Sequence, residues 1–114
     1  MFNPNLTQYS QSMNSKFVVG SLVYDSMNQR LSTEEQSVYL RQKLNEVFYY
    51  MVANQSRLVS REELIEKVWN GNFYTGVKAV THTVCKLRKT LEDLGVKDVN
   101  IRTLPKQGYT LHTC

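Results

Sequence analysis

The chain has 114 residues, of which 41% are hydrophobic and 21% charged. That is the composition of one globular domain, not of a disordered segment. No run reaches the roughly 18 consecutive apolar residues of a membrane-spanning helix. The polar start MFNPNLTQYSQSMNS has neither the basic nor the apolar region of a secretory signal. Two cysteines, Cys85 and Cys114, without CxxC spacing, argue against a disulfide framework and for a reducing, intracellular setting. The net charge of +4 is unevenly placed. Residues 1–70 balance seven Lys and Arg against seven Asp and Glu, whereas residues 71–114 carry seven against three. Such asymmetry suits a polyanionic partner, and equally suits a solvated basic face.

Residues 1–15, rich in Asn, Gln and Ser, read as a flexible tail. Phe17–Val19 and Leu22–Tyr24 are β-rich triplets separated by Gly20 and Ser21. Residues 30–32 and 38–40 flank Thr33-Glu34-Glu35-Gln36 as the arms of a hairpin would. An antiparallel sheet is therefore expected over 16–41. In residues 42–55, Leu44, Val47, Phe48, Met51 and Val52 recur at helical spacing and form one apolar stripe, although no good N-cap precedes them.

Ser60-Arg61-Glu62-Glu63 is a capping box, in which the Ser60 hydroxyl accepts from the Glu63 N–H. A short helix follows, with Leu64, Ile65, Val68 and Trp69 on one side and Gly71 placed to end it. Residues 72–76 read as a connector. A third helix is expected over 77–94, closed by Gly95, with Val80, Val84, Leu87 and Leu91 facing the core. Residues 98–113 alternate apolar and polar positions on both sides of a Pro105-Lys106-Gln107-Gly108 turn, a hairpin signature.

At about 100° per residue, Lys78, His82, Cys85 and Lys89 project away from Val80, with Lys86 beside them and Thr81 and Arg88 on a flank. Residues 77–91 hold four Lys and Arg and no acid. Lys donates to guanine O6 and N7 or to phosphate, Thr and His reach base edges, and small side chains permit close approach. Alone, this helix suits a solvated face at least as well. In chain order, however, a capped helix, a connector, a basic helix and a hairpin with a basic tip form a winged helix-turn-helix.

Three blocks carry a resemblance. They are LVSREELIEKVW over 58–69, VCKLRKTL over 84–91 and RTLPKQGYTL over 102–111. In this order they resemble the OmpR/PhoB-type winged-helix DNA-binding domain over most of the chain. The wing looks most like the CadC/ToxR branch of membrane-anchored regulators. The fold implied is α+β: an N-terminal antiparallel sheet, three helices and a C-terminal β-hairpin wing.

The resemblance implies a bacterial transcriptional regulator that binds double-stranded promoter DNA sequence-specifically. Lys78, Thr81, His82, Cys85, Lys86, Arg88 and Lys89 match recognition-helix positions. Trp69 matches a tryptophan near the DNA backbone, and Lys106 and Gln107 occupy the wing tip. Arg is frequent where Gln107 stands and after the wing tyrosine, where this chain has Thr110. The resemblance further implies dimeric or tandem protomers on DNA, RNA polymerase or a membrane co-regulator as partners, and a cytoplasmic domain. It also implies a membrane span if the natural chain continues past Cys114.

Other classes fit less well. His82, Cys85, His112 and Cys114 match no common zinc spacing, so no metal or cofactor is expected. No nucleophile–base pairing, Gly-rich phosphate loop or carboxylate cluster points to an enzyme. The serious rival is a winged helix used for protein contacts with a regulator or polymerase. A tyrosine-rich surface (Tyr9, Tyr24, Tyr39, Tyr49, Tyr50, Tyr74) would serve it.

Overall fold

Alternation of side chains sets the N-terminal sheet. Its strands are β1 (Lys16–Val19), β2 (Leu22–Asp25), β3 (Arg30–Ser32) and β4 (Ser37–Tyr39), antiparallel in that spatial order. Phe17, Tyr24, Leu31 and Val38 stand in register across it and turn toward the core. Lys16, Asp25, Arg30 and Tyr39 form a row on the opposite face. The structure, a computed structural model, describes residues 15–113. The expected tail therefore lies outside the described residues, apart from Ser15, whose carbonyl accepts from the Ser26 N–H at 2.8 Å.

Tyr24 is fully buried, which removes it from the expected tyrosine surface. Its ring meets Phe48 edge-on at 4.8 Å. Its hydroxyl donates to Asn45 Oδ1 at 2.6 Å, and burial pushes the phenol pKa well up. The sheet is thereby fixed to α1 (Gln42–Ala53), which buries Val47, Phe48, Met51 and Val52. Arg41 precedes α1 and supplies no side-chain cap, as the missing N-cap signal implied.

The capping box forms as expected: Ser60 Oγ accepts from Glu63 N at 3.0 Å and starts α2 (Arg61–Val68). This helix stops at Val68, three residues before Gly71. Asn70 already has a left-handed φ of 53°, and the Gly71 N–H donates back to the Ile65 carbonyl at 3.0 Å.

The third helix, α3 (Phe73–Asp93), starts four residues earlier than the sequence suggested. Asn72 caps it, Oδ1 accepting from Thr75 N at 3.4 Å. Gly76 had the look of a loop residue, yet it is buried inside the helix. A Cβ there would lie 2.8 Å from Ile65 Cγ2, so its missing side chain sets the close approach of α3 to α2. At the far end Gly95, with φ +75°, donates to the Glu92 carbonyl at 2.9 Å, while Val96 donates to Leu91 at 3.0 Å. This pair is a Schellman closure.

The wing is β6 (Val99–Leu104) and β7 (Gly108–Thr113), in the expected place. A third strand was not foreseen: β5 (Val59–Ser60) pairs with β7, giving the order β5-β7-β6. Gly108 permits it, because a Cβ there would fall 2.2 Å from the Val59 carbonyl oxygen. The wing is thus tied to the start of α2 close to its turn, at Gly108 and Tyr109. Among the described residues no helix is long and apolar enough to cross a membrane.

Candidate nucleic-acid interface

The angular order along α3 decides which side chains are free. Gly76, Val80, Thr83, Val84, Leu87 and Leu91 are buried. Lys78, Thr81, His82, Cys85, Lys86 and Lys89 are all exposed. Six of the seven recognition-helix positions therefore share one open face. At ~1.5 Å per residue, the 21 residues of α3 run for about 32 Å.

Arg88 differs. It is half-buried, and its guanidinium is used within the domain. Nε donates to the Ile101 carbonyl at 2.9 Å and Nη2 to Thr103 Oγ1 at 2.6 Å, joining α3 to β6. Lys89 donates to Asp93 Oδ1 at 3.0 Å, a contact that raises its pKa. Both partners are mostly exposed, so the pair holds Lys89 only loosely. Thr81 Oγ1 leans back to the Val77 carbonyl at 3.4 Å.

Trp69 sits at the C-cap of α2, partly buried against the core. Lys43 lies over its ring, Nζ 5.7 Å from the centroid, and donates to the Val68 carbonyl at 2.7 Å. At the wing tip, Lys106 and Gln107 are exposed. The turn closes through Gln107 N to Leu104 O at 2.9 Å, with Pro105 second and Lys106 third at φ +65°. These are the positions of a type II turn, whose third residue is normally Gly or Asn. Thr110, in place of a family arginine, is buried with Oγ1 lacking a hydrogen-bond partner.

Three exposed apolar side chains gather at the start of α3; Tyr74 was expected at the surface, whereas Phe73 and Val77 escaped the sequence reading. Tyr74 is 97% exposed, Phe73 45% and Val77 43%. Reading 72–76 as a connector hid the helical turn that groups Phe73 and Tyr74 with Val77, and the Asn72 cap three residues before Thr75 was the available signal. Among the described residues, no three His, Cys, Asp or Glu side chains assemble into a metal-binding group.

The model of the family described as "Transcriptional regulatory protein, C terminal" matches residues 35–111. The chain belongs to this family. As a member of the transcriptional regulatory protein C-terminal family it carries a winged-helix DNA-binding domain, and the family and fold are those of regulators, not enzymes. It is 34% identical over 91 residues to the transcriptional activator CadC of Escherichia coli (strain K12), covering 79% of this chain and 17% of CadC. It is 25% identical over 104 residues to the heme response regulator HssR of Staphylococcus aureus (strain JH9), covering 91% of this chain and 46% of HssR. The chain thus spans less than half the length of these curated relatives. Among solved structures, the DNA-binding domain of E. coli CadC superposes with a TM-score of 0.75 at 28% identity, over 85% of this chain and 91% of that one.

Proposed function

We propose that this domain binds double-stranded promoter DNA sequence-specifically for a bacterial transcriptional regulator, with α3 in the major groove and the wing tip at the flanking minor groove. One observation carries the reading. The exposed face of α3 gathers Lys78, Thr81, His82, Cys85, Lys86 and Lys89 over a 21-residue helix. A helix about 10–12 Å across fits a major groove about 12 Å wide. Thr81, His82 and Cys85 are assigned to base edges. Lys78, Lys86 and Lys89 supply charge, and Trp69, Lys106 and Gln107 touch the backbone. Arg88 contributes by holding the wing.

Dimeric or tandem protomers on repeated half-sites, contact with RNA polymerase or a membrane co-regulator, and a cytoplasmic location at the inner-membrane face belong to this proposal. The wing sequence RTLPKQGYTL, which resembles that of the CadC/ToxR branch of membrane-anchored regulators, supports them. A protein-binding role has its own support in the exposed trio Phe73, Tyr74 and Val77.

Selection from a random duplex library, followed by anisotropy titrations at several salt concentrations, tests the proposal. Enrichment of a defined motif, with affinity falling steeply as salt rises, is expected. Lys86→Ala should weaken binding almost uniformly across sequences and flatten the salt slope by about one unit, whereas loss of a base contact at His82 should relax preference at one position. A wild-type domain that shows no duplex binding at 50 mM salt overturns the DNA reading and leaves the protein-binding one.

A further inference from the structure

A helix seated in the major groove has a phosphodiester strand on each side. On one side of α3 stands the wing, reached by Arg88. Lys86 lies two residues before Arg88 and therefore about 200° round the helix, on the other flank. There it lines a groove of about 310 Å³ between α3 and the β4–α1 corner. Tyr39, Arg41, Leu44, Lys86, Lys89 and Thr90 form its walls, and no acidic side chain does. Arg41 and Lys86 are exposed, and neither enters an ion pair among the described residues.

The neighbouring cation of α1, Lys43, lies instead over Trp69, where Glu46 shares it at 3.3 Å. Arg41 comes from the electrically neutral half of the sequence, 45 positions before Lys86. Only the fold adds it to the basic surface of α3.

We infer that Arg41 and Lys86 form a clamp for the sugar–phosphate backbone on the side of α3 away from the wing, so that the domain grips both strands bordering the major groove. This rests on the proposed DNA binding and extends its surface to the N-terminal sheet. Three features of the groove favour the occupant. Its charge is complementary to phosphate. It is continuous with the exposed face of α3. The Arg41 guanidinium also presents the planar donor fork that phosphate oxygens accept.

The test is the salt dependence of binding to the selected duplex for the wild type, Arg41→Gln, Arg41→Lys and Lys97→Gln. Lys97 is exposed in the turn after α3 and carries the same charge away from the groove. Arg41→Gln is expected to weaken binding about 5–10-fold at 50 mM salt and to flatten the log–log slope by about 0.9, the value for one phosphate. Arg41→Lys should recover most of the slope, and Lys97→Gln should leave it unchanged. The melting temperature of Arg41→Gln should match the wild type. Equal losses from Arg41→Gln and Lys97→Gln would reduce the effect to net charge and overturn the clamp. So would an unchanged slope in Arg41→Gln while the wild type binds, and that result would leave the DNA reading standing. Absence of wild-type binding would overturn both.

Discussion

Arg88 spans the gap between α3 and the wing to reach Thr103, Nη2 donating to Oγ1 at 2.6 Å while Nε holds the Ile101 carbonyl at 2.9 Å. The two elements proposed to lie on either side of one DNA strand are thereby held at a fixed separation. Charge-assisted hydrogen bonds contribute about 1.5–3 kcal/mol when buried and less when partly exposed, as here. Arg88→Met is expected to lower unfolding stability by about 1 kcal/mol and duplex affinity by more than tenfold, because the wing loses its orientation. Thr103→Val should reproduce part of both effects. Combined in a double-mutant cycle by urea unfolding, the pair should couple by about 0.5–1 kcal/mol. Additive losses would mean that the contact does not orient the wing.

Lys106 takes a left-handed φ of 65° at the wing tip, where an L side chain costs about 1–2 kcal/mol. Lys106→Gly is therefore expected to raise stability by about 0.5–1 kcal/mol while weakening DNA binding and flattening its salt slope by about one unit. Lys106→Ala keeps the strained backbone, so its stability should match the wild type while its affinity falls equally. Thermal unfolding read beside salt-dependent anisotropy separates the two effects.

Gly76 brings α3 against Ile65, whose Cγ2 and Cγ1 would lie 2.8 and 2.9 Å from an added Cβ. Gly76→Ala gains about 1 kcal/mol of helix propensity but overpacks a buried contact at a cost of about 1–3 kcal/mol. A net loss of up to about 2 kcal/mol is expected by urea unfolding, with reduced affinity because α3 is pushed away from α2. Ile65→Ala, which removes both γ carbons, should cost less in the Gly76→Ala chain than in the wild type.

Glu63 anchors the start of α2 to the end of α1. Arg57 Nη2 donates to its Oε2 at 2.6 Å, and the Tyr50 hydroxyl donates to the same oxygen. The Arg57 hydrogen bond chiefly, with help from Tyr50, lowers the Glu63 pKa from 4.5 to about 2. A depressed carboxylate pKa contributes stability above the unfolded value, and that contribution is lost as pH falls from about 4.5 to about 2. Glu63→Gln should cost about 1–2 kcal/mol at pH 7, with solvent screening on the half-exposed Arg57 side keeping the figure modest. The gap should close as pH approaches 2. Urea midpoints at pH 7, 4 and 2.5 provide the check, and a gap independent of pH would assign the effect to packing.

What was legible in the sequence is local. The buried stripe of α3 follows from 3.6-residue periodicity, the Ser60 cap from a four-residue pattern, and the wing from alternation around Pro105 and Gly108. Each is set by neighbours within a turn or a strand pair, so the sequence alone determined which face of α3 is open and basic. The tertiary structure decided what depends on residues far apart along the chain. Gly76 stays helical because Ile65 fills the space a Cβ would need. Two residues, Val59 and Ser60, become a strand because Gly108 lets β7 approach. Arg88 turns into the domain toward acceptors on β6, and Arg41 comes to face Lys86 across a groove. Side-chain periodicity carries no information about distances between elements. Those distances are fixed when the elements pack, and they set how wide a surface this domain can present to a duplex.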